Sequence, residues 1–318
     1  MYVHAEAPST DAFVARVWGR PVDESLSGAA GAIALQLLRE PSLDPADLRW
    51  KAILAGYPWP IARAQTQRVG EDEVPTEVLA VADASGAADL GLVRARGSSG
   101  DQWVLLVGGR RGELPAFTRE PNLGSRLDFA PYRVRAATPS GEIRQSEGSL
   151  LVDAVGEWLV ELSDDQGVAA TFPLYAGHTT PQAQPFDGAA SGEDAGDLDE
   201  ELLTRMDTLD GWYRRAPAER EPLLDGLARA RLRAFTAGLA LPDPARQLAA
   251  VGFREGRIST CRAATVADCL DVMWWSIEGH SALGGAWGTV GFAVQAVPEG
   301  VAIAVASGDR VDNRVALP

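Results

Sequence analysis

The apolar residues of this chain change period twice along its length, and that change dictates a mixed fold. Between Ser25 and Leu54 they recur at helical spacing. Ala29, Ala30, Ile33, Ala34, Leu37 and Leu38 form one face, and Trp50, Ile53 and Leu54 a second, with Pro41 and Pro45 between them. Ser25 is placed to cap the first helix and Asp44 or Asp47 the second, which Gly56 and Pro58 stop. A shorter helix is expected over Asp11 to Trp18, broken by Pro21. From about 77 to 177 short apolar runs alternate with turn residues instead. Glu77 to Val81, Leu90 to Arg94 and Gln102 to Val107 read as strands. Tyr132 to Ala136 alternates in polarity, Thr138-Pro139-Ser140-Gly141 turns the chain, and Glu142 to Gln145 returns it. Trp158 to Leu162 and Val168 to Leu174 make a hairpin around Asp164-Asp165-Gln166-Gly167. Period two puts Trp158, Val160 and Leu162 on a core face and Leu159 and Glu161 on the other. Strands spaced by roughly 8 to 15 residues predict a small β-sandwich.

Helical spacing then returns. Leu202 to Tyr213 is one helix, and Glu219 to Leu239 is another, with Leu223, Leu224, Leu227, Ala230 and Ala234 on one side. Thr265 caps a further helix, with Asp268 as its capping-box partner and Val266, Cys269, Leu270, Met273 and Ile277 as its buried stripe. Val290 to Val297 and Val301 to Ala306 follow as strands around Pro298-Glu299-Gly300. The stretch from His178 to Gly196 has little to bury. From His178 to Asp210 there are nine acidic residues and one base, Arg205, which is over half of the chain's net charge of -15 and marks a solvated spacer. Since 318 residues exceed one ordinary core, the expected layout has several domains. It is an α+β chain with a helical segment over 1–75, a β-sandwich over 76–177, an acidic linker over 178–200 and an α/β domain over 201–318.

Composition narrows the function classes. Hydrophobic residues are 46% and charged residues 23%, enough to build cores and too apolar for wholesale disorder. The net -15 repels nucleic acids and anionic lipid surfaces, so no nucleic-acid partner is expected. No stretch approaches the roughly 20 apolar residues of a transmembrane helix. Met1 to Arg20 has acidic residues and no long apolar run, which leaves two compartments open. Either the protein is cytoplasmic or an export signal has already been removed.

Motifs for chemistry are sparse. There is no G-x-S-x-G elbow, no Walker loop and no G-x-G-x-x-G. Of His4, His178 and His280, none has a second histidine within five residues, so neither a metal site nor a cofactor is expected. The glycines from Gly279 to Gly291 precede a strand, which suits a tight turn and close packing better than a phosphate cradle. Cys261 and Cys269 read as small buried hydrophobes. On one continuous helix they would lie about 12 Å apart, beyond disulfide reach, so pairing requires Cys261 to precede the helix. Trp274, Trp275 and Trp287 cluster around His280 and are the binding candidates, as an aromatic groove or subunit contact, with core packing as the plainer alternative. Adjacent helical residues point about 100° apart, so one of Trp274 and Trp275 is expected inside and the other near a surface. His280 itself suits the negative end of the preceding helix dipole.

The segment Thr265 to Ala306 resembles the second half of a CAP domain, the family of cysteine-rich secretory, antigen 5 and pathogenesis-related proteins. The residues that carry the likeness are Gly279-His280-Ser281-Ala282-Leu283 after a helix, then Thr289-Val290-Gly291-Phe292-Ala293-Val294 as a strand. The middle part, ending in Phe172-Pro173-Leu174-Tyr175, is similar to a sandwich that some exported bacterial members carry before that domain. The resemblance implies an exported bacterial protein, extracellular or in the cell envelope, whose final domain is CAP-like. Cavity-bearing members place two histidines and two acidic residues together. Here His280 matches by motif, and Glu255 in Gly252-Phe253-Arg254-Glu255-Gly256 is the candidate acid. No histidine lies between His178 and His280, so the first cavity histidine has no counterpart, which implies that the metal-binding or hydrolytic cavity is lost. The expectation is a non-catalytic binding or assembly protein with a protein partner or a second copy of itself. The rival is a hydrolase-like enzyme with His280 as acid or base and Glu255 as its partner.

Overall fold

The computed structural model describes residues 22–40, 45–70, 75–85, 89–98, 100–183, 185, 197–213 and 215–310. His4, the helix expected over 11–18 and most of the expected acidic spacer lie outside these residues. The chain is of the mixed α+β class and divides into two compact units. The first takes Met1–Leu114 with Ser163–Thr171 and Gln182–Gln184; the second takes Pro115–Leu162, Phe172–Pro181 and Pro185–Pro318.

In the first unit, helices α1 (Glu24–Leu37), α2 (Pro45–Leu54) and α3 (Thr76–Ala84) accompany strands β1 (Ile61–Val69), β2 (Asp89–Gly97) and β3 (Gly100–Gly108). The strands form one antiparallel sheet in the order β1-β3-β2. Helix α1 starts two residues earlier than expected, because Asp23 and not Ser25 accepts the Leu26 N–H at 3.0 Å. The stretch 77–81 is helix α3, not a strand. Val78, Val81 and Ala82 recur three and four apart and are buried with Leu90, Leu92, Trp103, Leu105 and Val107, so a helical face, not a period-two face, meets the sheet. Strand β1 lies inside the stretch expected to be wholly helical; it pairs with β3, which pairs in turn with β2. The strands expected as a single sandwich over 76–177 are therefore shared between two sheets.

The second sheet has the order β5-β4-β6-β7, from strands β4 (Arg126–Ala137), β5 (Ile143–Leu151), β6 (Gly156–Asp164) and β7 (Gly167–Ala176). Trp158, Val160 and Leu162 are buried as expected of a core face, and Leu159 on the other face is buried too, so both faces of β6 are covered. The remainder of the second unit is α4 (Leu198–Trp212), β8 (Glu219–Arg220), α5 (Pro222–Thr236), α6 (Pro244–Ala250), β9 (Phe253–Ala263), α7 (Val266–Trp274), α8 (Ile277–Gly284), β10 (Thr289–Val297) and β11 (Gly300–Arg310). Its sheet order is β8-β10-β11-β9. One face buries Leu224, Leu227, Ala228 and Leu232 of α5 against Ala293, Ala302, Ala304 and Ala306. By alternation along β11, Ile303 and Val305 point to the other face, where α7 and α8 pack. Gly291 lets α5 approach: a Cβ there would sit 2.2 Å from the Asp225 nitrogen. The expected capping box of Thr265 and Asp268 is present. The helix it starts ends at Trp274 rather than reaching Ile277, which begins α8.

Candidate functional site: a buried acid and histidine beside a cavity

The site forms where β6, β7, the end of α4 and α8 meet. Helix α4 is capped by Asp197, whose side chain accepts the Asp199 N–H at 2.9 Å. It buries Leu202, Arg205, Met206 and Leu209 at helical spacing, which carries Trp212 and Tyr213 to its C-terminal end. Arg215 fixes that end. Its Nε donates to Asp210 Oδ1 at 2.6 Å, and its two terminal nitrogens donate to the carbonyls of Gly285 and Leu283, each at 2.7 Å. Three donors of one planar guanidinium thus tie the end of α4 to the end of α8.

Helix α8 is set by its own start. The Ser276 side chain accepts the Gly279 N–H at 3.1 Å. Gly279 leaves room for the turn after α7, since a Cβ there would lie 2.1 Å from the Met273 carbonyl oxygen. On the sheet side, Arg135 of β4 donates to Glu161 of β6 at 3.2 Å and to Glu278 of α8 at 2.5 Å. Ser281 donates to the Gly141 carbonyl. These contacts press His280 against β6. His280 sits inside α8, 2% exposed, and from there its side chain reaches the carbonyl of Trp274, the last residue of α7, so it does cap that helix end.

The carboxylate that faces His280 is Glu157, not Glu255. His280 Nε2 lies 3.6 Å from Glu157 Oε1, and its Nδ1 lies 3.0 Å from the Trp274 carbonyl oxygen. A carbonyl only accepts, so Nδ1 carries the proton and Nε2 presents a lone pair to Glu157. Trp212 Nε1 donates to Glu157 Oε2 at 3.4 Å, and the Tyr213 hydroxyl lies 3.5 Å from Oε1. Tyr213 in turn accepts from Trp274 Nε1 at 3.0 Å. Burial pushes Glu157 up to about 8, against the two donors that pull it down. Burial pushes His280 down to about 4, with the Trp274 carbonyl pulling the other way. The 3.6 Å separation is within ion-pair range, yet both groups are driven toward their neutral forms, so at neutral pH this is a contact between uncharged groups.

A cavity of about 370 Å³ opens on Glu157, with Tyr175, Trp212, Tyr213, His178, Thr179, Pro181 and Gly156 as its other walls. His178 and Thr179 are exposed, whereas Tyr175 is 3% exposed. The Tyr175 hydroxyl is buried without a hydrogen-bond partner. Burial and the neighbouring Glu157 raise both Tyr175 and Tyr213 well above the usual tyrosine range, so both remain phenols. The floor of the cavity is a protonated carboxyl, an unsatisfied phenol and aromatic rings.

The other expected site residues are distributed differently. Glu255 is exposed on β9 opposite Asp309 and lines a separate cavity of about 420 Å³ with Ser140, Glu142, Arg257, Trp287 and Asp309. Trp274 and Trp275 are both buried, their ring centroids 4.7 Å apart and edge-on. Neither faces a surface, because the helix ends between them. Trp287 is half-buried, donates to the Ser281 carbonyl at 2.7 Å, and belongs to the Glu255 cavity. Among the described residues no group of three or more His, Cys, Asp or Glu is arranged to hold a metal. Cys261 on β9 and Cys269 on α7 are buried free thiols. The sequence offered one signal for the missed Glu157. An acid that directly precedes Trp158-Leu159-Val160, an apolar run with no polar alternate, sits at the start of a strand covered on both faces.

The class this fold defines is a mixed α+β protein. No protein-family model matches the chain, and no curated protein matches it. Among solved structures it is similar to a cysteine-rich secretory protein from Staphylococcus aureus. The TM-score is 0.31 and the identity 12%, over 76% of this chain and 91% of that one.

Proposed function

We propose that this is a non-catalytic binding protein of the cell exterior or envelope, and that its ligand sits in the cavity floored by Glu157. The observation that carries the reading is the Tyr175 hydroxyl, buried and unpartnered in a cavity beside a buried carboxyl. A buried donor without a partner costs roughly 1–3 kcal/mol, so this wall is not optimised for packing alone. His280 supports binding over catalysis. Its Nδ1 is engaged by the Trp274 carbonyl, its Nε2 faces Glu157, and its ordinary protonation near neutral pH is suppressed. The resemblance of the 265–306 segment supports the exported location.

The test is a fragment screen by ligand-observed NMR, repeated on Trp212→Ala and Tyr175→Phe, alongside hydrolysis assays on ester, peptide and glycoside panels. The expected result is a set of fragments whose binding the two variants weaken, and no turnover. Fragments that ignore both variants would remove the cavity from the function. Turnover lost in Glu157→Gln at unchanged stability would replace binding with general-acid catalysis.

A further inference from the structure

A buried carboxyl has two ways to escape the cost of an uncompensated charge: keep its proton or acquire a cation. Among the described residues, the ionisable groups named below supply no charged cation in contact with Glu157. His280 is held neutral behind it, and Tyr175 and Tyr213 are phenols. Arg215 acts at one remove, over the Tyr213 ring at 5.1 Å while its nitrogens bind Asp210, Leu283 and Gly285, and Arg119 acts through Tyr175. His178 stands on the exposed wall of the cavity. The cavity adjoins Glu157, and its walls there include Trp212, Tyr213 and Tyr175. Aromatic rings attract a desolvated cation, and Trp212, Tyr213 and Tyr175 line this cavity beside one carboxyl, the residue types that hold an ammonium group. The cavity volume, about 370 Å³, is at the small end of ligand pockets.

We propose that the Glu157 cavity takes a small organic cation, an alkylated ammonium, which settles between Trp212, Tyr213 and Tyr175 and displaces the carboxyl proton of Glu157. This rests on the reading of the cavity as the ligand site and names the class of ligand. The balance is simple: the Glu157 carboxyl gives its proton to solvent, and the carboxylate pairs with the incoming cation. Binding is thereby linked to proton release and tightens as pH rises. The raised Glu157 value agrees with this direction.

The test is isothermal titration with choline chloride and with 3,3-dimethylbutan-1-ol, the neutral carbon isostere of choline, against sodium chloride of equal ionic strength. It is run at pH 6 and pH 8 in buffers of different ionisation enthalpy. Choline association is expected to rise about tenfold or more between those pH values, with proton release, while the isostere binds more weakly and without a pH slope. Glu157→Gln should remove the slope and the preference for charge. His280→Gln should leave the slope in place, which separates Glu157 from its neighbour. If Glu157→Gln fails to fold by circular dichroism, the proton count in the unaltered protein still decides. Equal binding of choline and its isostere, a response matched by sodium chloride, or no choline binding at all would each overturn the proposal. If the fragment screen still finds ligands at the cavity, only the choice of cation falls; if it finds none, the cavity reading falls too.

Discussion

Two cavities of the second unit each have a glutamate in their walls, and they do opposite things with it. Glu255 is exposed and shares its cavity with Glu142, Asp309 and the Arg257 guanidinium. Burial lowers Arg257, and Glu142 and Glu255 oppose that shift, so the acids there are matched by a resident cation. Glu157 is buried under aromatic rings, faces a neutral histidine and keeps its proton. The residue type is the same in both. Solvent access and the nearest cation decide whether a carboxyl is a solvated charge or a proton-holding group poised for a ligand.

The largest expected effect tests whether the strand that holds Glu157 lies in a core at all. Trp158 is fully buried on the opposite face of β6 and donates to the Ala154 carbonyl at 3.0 Å. Trp158→Ala should cost roughly 3–5 kcal/mol in denaturant unfolding, through the cavity it leaves. A loss below about 1 kcal/mol would break the contrast, since Glu157 would then sit on a yielding strand.

The pH dependence of stability sharpens the contrast further. Glu157 is raised, from 4.5 to about 8, so its contribution is whole below 4.5 and lost as pH rises through 8. His280 is depressed, from 6.5 to about 4, so its contribution is whole above 6.5 and lost as pH falls through 4. Between pH 4.5 and 6.5 the two slopes cancel. Above 6.5 only Glu157 titrates, and stability should fall by about 2 kcal/mol by pH 8, at roughly 1.4 kcal/mol per unit. Glu157→Gln should abolish that fall. A fall of the same size in the variant would assign the proton elsewhere.

His280→Gln should cost about 1 kcal/mol at pH 7, because glutamine keeps a donor for the Trp274 carbonyl but not the ring packing against Trp274, whose centroid is 5.5 Å away. It should also extend the Glu157 slope down to about pH 4.5, because the compensating term is gone. An unchanged acid side in thermal scans would show that His280 is not the partner. The smallest effect belongs to the other cavity: Glu255→Gln should change stability by less than about 0.5 kcal/mol at any pH between 5 and 8. A larger change would put Glu255 in the same class as Glu157 and erase the difference between the two.

Local patterns in the sequence determined a good deal. Asp268 and Thr265 make a capping box wherever that helix folds, and the runs over 290–297 and 301–306 pair as β10 and β11 around Gly300, as their spacing requires. The hairpin of β6 and β7 was equally legible, since Gly167 at φ +109 follows the turn acids. Such features involve neighbours within one helical turn or one hairpin, so the sequence alone carries them. The run 77–81 was harder: too short to show its period, it became a helix because a sheet face was there to receive Val78, Val81 and Ala82. The site lay further still from local reading. Glu157, Tyr175, Tyr213 and His280 come from four elements spread over more than 120 positions of sequence, and of these only His280 was singled out by a motif. What makes Glu157 an acid with a retained proton is the loss of water around it. Desolvation is a property of everything packed about a group, so only the tertiary structure decided which of the chain's carboxylates would have it.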